Sequence, residues 1–82
     1  MPRREWSRPF GEIKALILGA VADRQPQASA ELVAATGLPF EDVISALRML
    51  RHGGELEFEP EWESEGVLRA AHNIRLRPAE QA

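Results

Sequence analysis

At Gly53-Gly54 the hydrophobic period of this chain changes from helical to alternating, which divides the sequence into two parts of different structure. Before it, apolar residues recur at three- and four-residue steps, first Phe10, Ile13, Leu16, Ile17, Ala20 and Val21, later Val43, Ala46, Leu47 and Leu50. After it, Glu55-Leu56-Glu57-Phe58-Glu59 and Ile74-Arg75-Leu76-Arg77 alternate strictly, as half-buried strands do. Ser64-Glu65-Gly66 between them supplies a turn. Helices followed by a hairpin make an α+β domain. With 82 residues there is room for one core. Twelve of the 36 hydrophobic residues are alanine, leaving 24 larger side chains to fill it. That suits three short helices and a hairpin and is thin for a buried enzyme cleft.

The first helix is expected over residues 9–23, with Pro9 in its first turn and Gln25-Pro26 closing it. Leu18 falls off its main stripe and is left for the hairpin or a partner. Ser29 is the expected N-cap of a second helix, whose inner face is Leu32, Val33 and Thr36 and whose end is Gly37. Leu38-Pro39-Phe40 then leads into a third helix. Glu41 and Asp42 lie in its first turn and Arg48, Arg51 and His52 in its last two, the order that the helix dipole favours. Gln27-Ala28 is the only space for a short extra strand against the hairpin. Residues 1–8, with Arg3, Arg4 and Arg8 and no period, read as a flexible basic arm. Residues 9–77 read as the domain and 78–82 as a disordered tail.

For the hairpin, the register that sets Leu56 opposite Leu76 also sets Phe58 opposite Ile74. It pairs Glu57 with Arg75, Glu55 with Arg77 and Glu63 with Arg69. A register displaced by two residues loses the Glu57–Arg75 and Glu63–Arg69 pairs. Pro60 marks the first strand as an edge or as bulged.

Much chemistry is excluded at this level. Without cysteine there is no disulfide, thiolate metal site or catalytic thiol, and a reducing, cytoplasmic setting is expected. No run approaches the roughly 20 apolar residues of a membrane span, and Met1-Pro2-Arg3-Arg4 lacks the apolar core of a signal peptide. His52 and His72 have no metal-ligand spacing, so no metal is expected. No nucleophile triad or phosphate-binding glycine loop is present, which predicts a non-catalytic protein without a cofactor.

Ser29, Thr36-Gly37-Leu38, Val43, Ala46-Leu47, Leu50, Gly54 and Leu56 fall in the order of a cap, a turn, a third helix and a first wing strand. In this the chain resembles the winged helix-turn-helix superfamily of small bacterial and phage DNA-binding regulators, over about residues 10–77. The resemblance implies a three-helix winged helix-turn-helix with a C-terminal β-hairpin wing. It also implies that the third helix enters the major groove of double-stranded DNA while the wing touches the backbone. On a wheel with Val43, Ala46, Leu47 and Leu50 inward, Glu41, Ser45, Arg48 and His52 point outward. Ile44 and Arg51 then lie on one flank and Met49 on the other. Ser45 and Arg48 would read bases or phosphate, Arg51 and His52 would reach phosphates, and Arg69 would stand in for a basic wing tip. Arg3, Arg4 and Arg8 would take phosphate or the minor groove, and the protein would act as a homodimer, through Leu18 or a C-terminal strand.

Charge runs against that expectation. The net charge is −3, but residues 41–65 hold eight acids against Arg48 and Arg51. Both ends of the chain are weakly basic. The alternative is a protein-interaction winged helix without catalysis. There Glu57, Glu59 and Glu61 of the wing, with Phe40, Ile44, Met49 and Trp62, would meet a basic protein partner.

Overall fold

The computed structural model describes residues 5–78. Three helices, α1 (Phe10–Asp23), α2 (Ser29–Thr36) and α3 (Phe40–His52), precede an antiparallel hairpin of β1 (Leu56–Ser64) and β2 (Val67–Leu76). This is the α+β layout of a winged helix with a C-terminal hairpin. The three helices pack on one another and close over one face of the hairpin, around a single core. Ile13, Ile17 and Val21 come from α1 and Leu32 from α2. Val43, Ala46, Leu47 and Leu50 come from α3, and Leu56, Phe58, Leu68, Ala71 and Ile74 from the hairpin. Each fully buried larger side chain contributes roughly 1.5–3 kcal/mol over leaving it in water. The helical stripes read from the sequence are therefore the core. Among the described residues no helix is long and apolar enough to cross a membrane.

Local chemistry sets the helix ends. Pro9 lies immediately before α1 rather than within its first turn, and its carbonyl accepts the N–H groups of Glu12 (3.0 Å) and Ile13 (3.1 Å). At the far end, the Gln27 side-chain amide donates to the carbonyls of Arg24 and of Ala20 (2.7 Å), the latter also accepting the Arg24 N–H (3.2 Å). The Gln25–Pro26 peptide is cis. Gly37 ends α2 with φ 73°, the left-handed conformation in which a Cβ is costly. Thr36 Oγ1 donates to Leu32 O (2.7 Å) and accepts from Leu38 N (3.2 Å), so the Thr-Gly-Leu turn is fixed from both sides. Gly54, at φ 78°, reverses the chain after α3 while Glu55 N donates back to Leu50 O (2.9 Å). The period change seen in the sequence is this reversal.

Ser29 does not cap α2. Ala28 occupies the cap position, and the Glu31 carboxylate accepts the Ala28 N–H at 2.7 Å. Ser29 is buried as the first helical residue, and its hydroxyl accepts the Ala71 N–H of β2 at 3.1 Å. The serine thus takes a donor on the sheet rather than one on its own helix. Ser29→Ala leaves the Ala71 N–H buried and unpaired, which costs roughly 1–3 kcal/mol. Urea unfolding of the variant should show that loss, and an unchanged midpoint would remove Ser29 from this role.

Gln27 forms a single antiparallel bridge with Ile74, through Gln27 N to Ile74 O (3.1 Å) and Ile74 N to Gln27 O (2.7 Å). This is the short extra strand expected before α2, reduced to one residue. It also alters the hairpin. The expected register holds at Leu56↔Leu76 and Glu57↔Arg75, and the next pair is Glu59↔His72. Between these pairs one residue of β1, Phe58, stands opposite two of β2, Asn73 and Ile74. Asn73, at φ 52°, forms the bulge, a conformation that asparagine tolerates better than most residues. Ile74 is bridged to Gln27, and the expected Phe58–Ile74 pair is not made. Further irregularities flank Trp62, and the expected Glu63–Arg69 pair is replaced by Glu61–Arg69 at 3.7 Å. Glu55 meets Lys14 of α1 at 2.9 Å, while Arg77 (3.4 Å) and Arg75 (3.7 Å) both lie on Glu57. Pro60 sits opposite Ala71 on β1. Only one edge of β1 is paired, so its missing N–H does not interrupt a sheet.

Candidate nucleic-acid interface

Alternation along β1 sends Leu56 and Phe58 to the core face. Trp62 follows further along the strand, where the hairpin passes beyond the end of the core, and remains 49 % exposed. The outward face of α3 lies beside this strand. Arg48, Met49, Arg51 and His52 of α3 and Phe58 and Trp62 of β1 enclose an open groove of about 710 Å³. Arg48 Nη1 donates to the Gly66 carbonyl at the wing turn (3.1 Å), and its guanidinium carbon lies 5.6 Å from the Trp62 ring centroid. The Arg51 guanidinium lies 5.0 Å from the Phe58 ring. Both cations rest on aromatic rings, an attraction that orients them without neutralising them.

Ion pairing separates these two arginines from the rest. Among the described residues Arg8 pairs with Glu12 (2.7 Å), Arg24 with Glu31 (3.3 Å) and Arg69 with Glu61. Arg75 and Arg77 pair with Glu57 and Lys14 with Glu55. Among the described residues no carboxylate lies within ion-pair distance of Arg48 or Arg51. His72 also meets Glu61, at 2.8 Å. That hydrogen bond, aided by the Arg69 charge, holds the Glu61 carboxyl below the usual carboxylate range. Half of the glutamate row of the wing, Glu55, Glu57 and Glu61, is thus matched from α1 and β2, while Glu59, Glu63 and Glu65 are exposed and have no such partner among the described residues.

The other predicted positions fall as follows. Ser45 is half-buried at the rim of α3, and His52 is exposed. Arg8 and Arg69 are engaged with Glu12 and Glu61, so Arg69 does not supply a free basic wing tip. Arg3 and Arg4 lie outside the described residues, as do residues 79–82 of the expected tail. Residues 1–8 read as a flexible arm, but residues 6–8 contact the domain. Trp6 packs on Phe10 with ring centroids 5.1 Å apart, and Ser7 donates to Asp42 through its N–H (3.1 Å) and its hydroxyl. Asp42 is only 2 % exposed, so it serves this N-terminal segment rather than the groove. Of the apolar flank, Phe40 and Met49 are exposed, whereas Ile44 is buried against the core and is not part of any surface patch. Leu18 packs on the core as well, partly buried.

Phe58 is the residue that sequence reading missed. It reads as a core side chain, and it is one, yet its ring also seats Arg51. The signal was the pair Phe58 and Trp62, two aromatics on one strand opposite two arginines three apart on a helix. A second groove, about 740 Å³ between α1 and α2, is lined by small residues such as Ala15, Gly19 and Ala34 together with Asp23, Arg24 and Glu31, and its arginine is already paired with Glu31. Among the described residues no cluster of His, Asp or Glu could hold a metal ion. Compared with known proteins, the chain matches no family model, no curated protein and no solved structure.

Proposed function

We propose that the chain is a winged-helix DNA-binding protein acting as a sequence-specific transcriptional regulator, with α3 as the helix that meets duplex DNA. One observation carries this reading. The two described arginines without a carboxylate partner, Arg48 and Arg51, stand together on the outward side of α3 beside the wing. Arginine with free N–H edges is the commonest reader of guanine and a strong phosphate ligand. In this reading Ser45 and Arg48 face bases, Arg51 and His52 face phosphate, and the Arg3/Arg4 arm reaches the flanking duplex. A homodimer would place two copies of α3 on paired half-sites.

The glutamates weaken such binding without preventing it. Glu59, Glu63 and Glu65 are exposed on the wing without cationic partners among the described residues, so their charge repels a duplex on α3 to the extent that salt leaves it unscreened. Replacing all three by glutamine removes that repulsion and should tighten duplex binding several-fold in fluorescence anisotropy. Unchanged or weaker binding by the variant would count against the reading.

A second reading, a protein-interaction domain with a basic partner, is favoured by the exposure of Trp62 and Val67 (48 %) on that same acidic wing and of Met49 (51 %) and Phe40 (45 %) on α3. The same variant separates the two. It strengthens DNA binding under the first reading and weakens partner binding under the second.

A further inference from the structure

Duplex recognition by α3 leaves the aromatic wall of the groove unused. Trp62 and Met49 are each about half exposed there, an apolar surface that folding has not buried. Beside them stand two guanidinium groups without carboxylate partners, each already seated on a ring. An exposed indole next to two guanidinium groups, of which only Arg48 Nη1 is engaged, at the Gly66 carbonyl, suits a planar base joined to a phosphate. The base stacks on the ring and the phosphate takes paired N–H donors. A base inside a duplex has both faces covered by its neighbours, so within continuous duplex only an unpaired, splayed-out base can enter the groove and stack on the ring. The surrounding charge narrows the occupant further. Glu59, Glu63 and Glu65 would repel a polyanion laid along the wing, whereas a single nucleotide entering between α3 and β1 meets the arginines instead.

We propose that this groove holds one unpaired nucleotide, its base against Trp62 and Met49 and its phosphate between Arg48 and Arg51. The protein then prefers DNA carrying a bulge or a single-stranded overhang to continuous duplex. The proposal rests on the reading that α3 meets nucleic acid, and it adds what the wing contributes.

The test compares a blunt duplex, the same duplex with a short overhang, and a poly-glutamate peptide, titrated against the full chain by anisotropy. The overhang should tighten binding by roughly 5- to 150-fold, the range of a single stacked base. In Trp62→Ala the overhang-to-blunt ratio should fall to about one, whatever happens to blunt-duplex affinity. Trp62→Phe, which keeps an aromatic face, should retain most of the ratio. In a Trp6→Phe background Trp62 is the sole tryptophan, and its fluorescence should be quenched by the overhang and not by the blunt duplex. Equal binding of blunt and overhang DNA, with no change in Trp62→Ala, overturns the nucleotide site and leaves the duplex reading standing. Failure of both DNAs to bind overturns both. Tight capture of the peptide, lost in Trp62→Ala, would assign the groove to an acidic protein segment instead.

Discussion

Replacing Arg48 and Arg51 together by alanine should abolish duplex binding while leaving the fold intact. Both side chains are exposed, and neither pairs with a carboxylate whose charge would be left alone. What the fold loses is one hydrogen bond to Gly66 and two cation–ring contacts at the surface. What DNA binding loses is two charged contacts at roughly 1.5–3 kcal/mol each, a weakening on the order of 100-fold or more. Circular dichroism and a thermal melt establish the first half of the expectation and anisotropy the second. Arg24→Ala is the internal control, since Arg24 lies on the α1–α2 side and is paired with Glu31. Wild-type affinity in the double variant would move the interface elsewhere.

The neighbouring residue should behave in the opposite way. Leu47 precedes Arg48 in α3 but is fully buried between the helices and the hairpin. Leu47→Ala removes its transfer free energy and leaves a cavity, at a cost of roughly 2–5 kcal/mol. A domain of this size has only about 5 kcal/mol or slightly more to lose. Each kcal/mol corresponds to about 4–8 °C in Tm for such a domain. A fall on the order of 10–30 °C is therefore expected by calorimetry, with part of the chain unfolded near 37 °C. The folded fraction should bind DNA as wild type does, because the outward face of α3 is unaltered. A melt within a few degrees of wild type would mean that Leu47 is not at the centre of the core.

These two substitutions show why the fold was more legible than the site. Burial on α3 follows a 3.6-residue period, so Val43, Ala46, Leu47 and Leu50 identify themselves by spacing alone. Gly37 and Gly54 were legible for the same local reason, since each stands where a left-handed residue ends a helix. Ion pairing has no such period. Glu55 reaches Lys14 across the domain, and Glu61 takes Arg69 because a bulge at Asn73 and further irregularity near Trp62 shift the strands. No pattern in the sequence announces a bulge that a distant Gln27 helps to hold. Counting charges along residues 41–65 accordingly made the wing look more acidic than its paired surface is. Asp42 misled in the same way. It counts among those acids as a first-turn residue that suits the helix dipole, and it is buried against Ser7 rather than on the surface. Ile44 shows the limit of a helical wheel, because the hairpin and turn widen the buried face beyond the central stripe.

Charge matching across the hairpin and the isolation of Arg48 and Arg51 on α3 together form the basis of the functional account. Its most direct test is the salt dependence of wild-type binding to a duplex of random sequence, beginning at about 50 mM salt. Counterion release gives a log–log slope of about −0.9 for each phosphate neutralised. With Arg48 and Arg51 as the main contacts, the account predicts measurable binding and a slope of about −2 or steeper. In the double alanine variant most of that slope should vanish. No duplex binding at low salt, or binding whose strength is indifferent to salt, would contradict it.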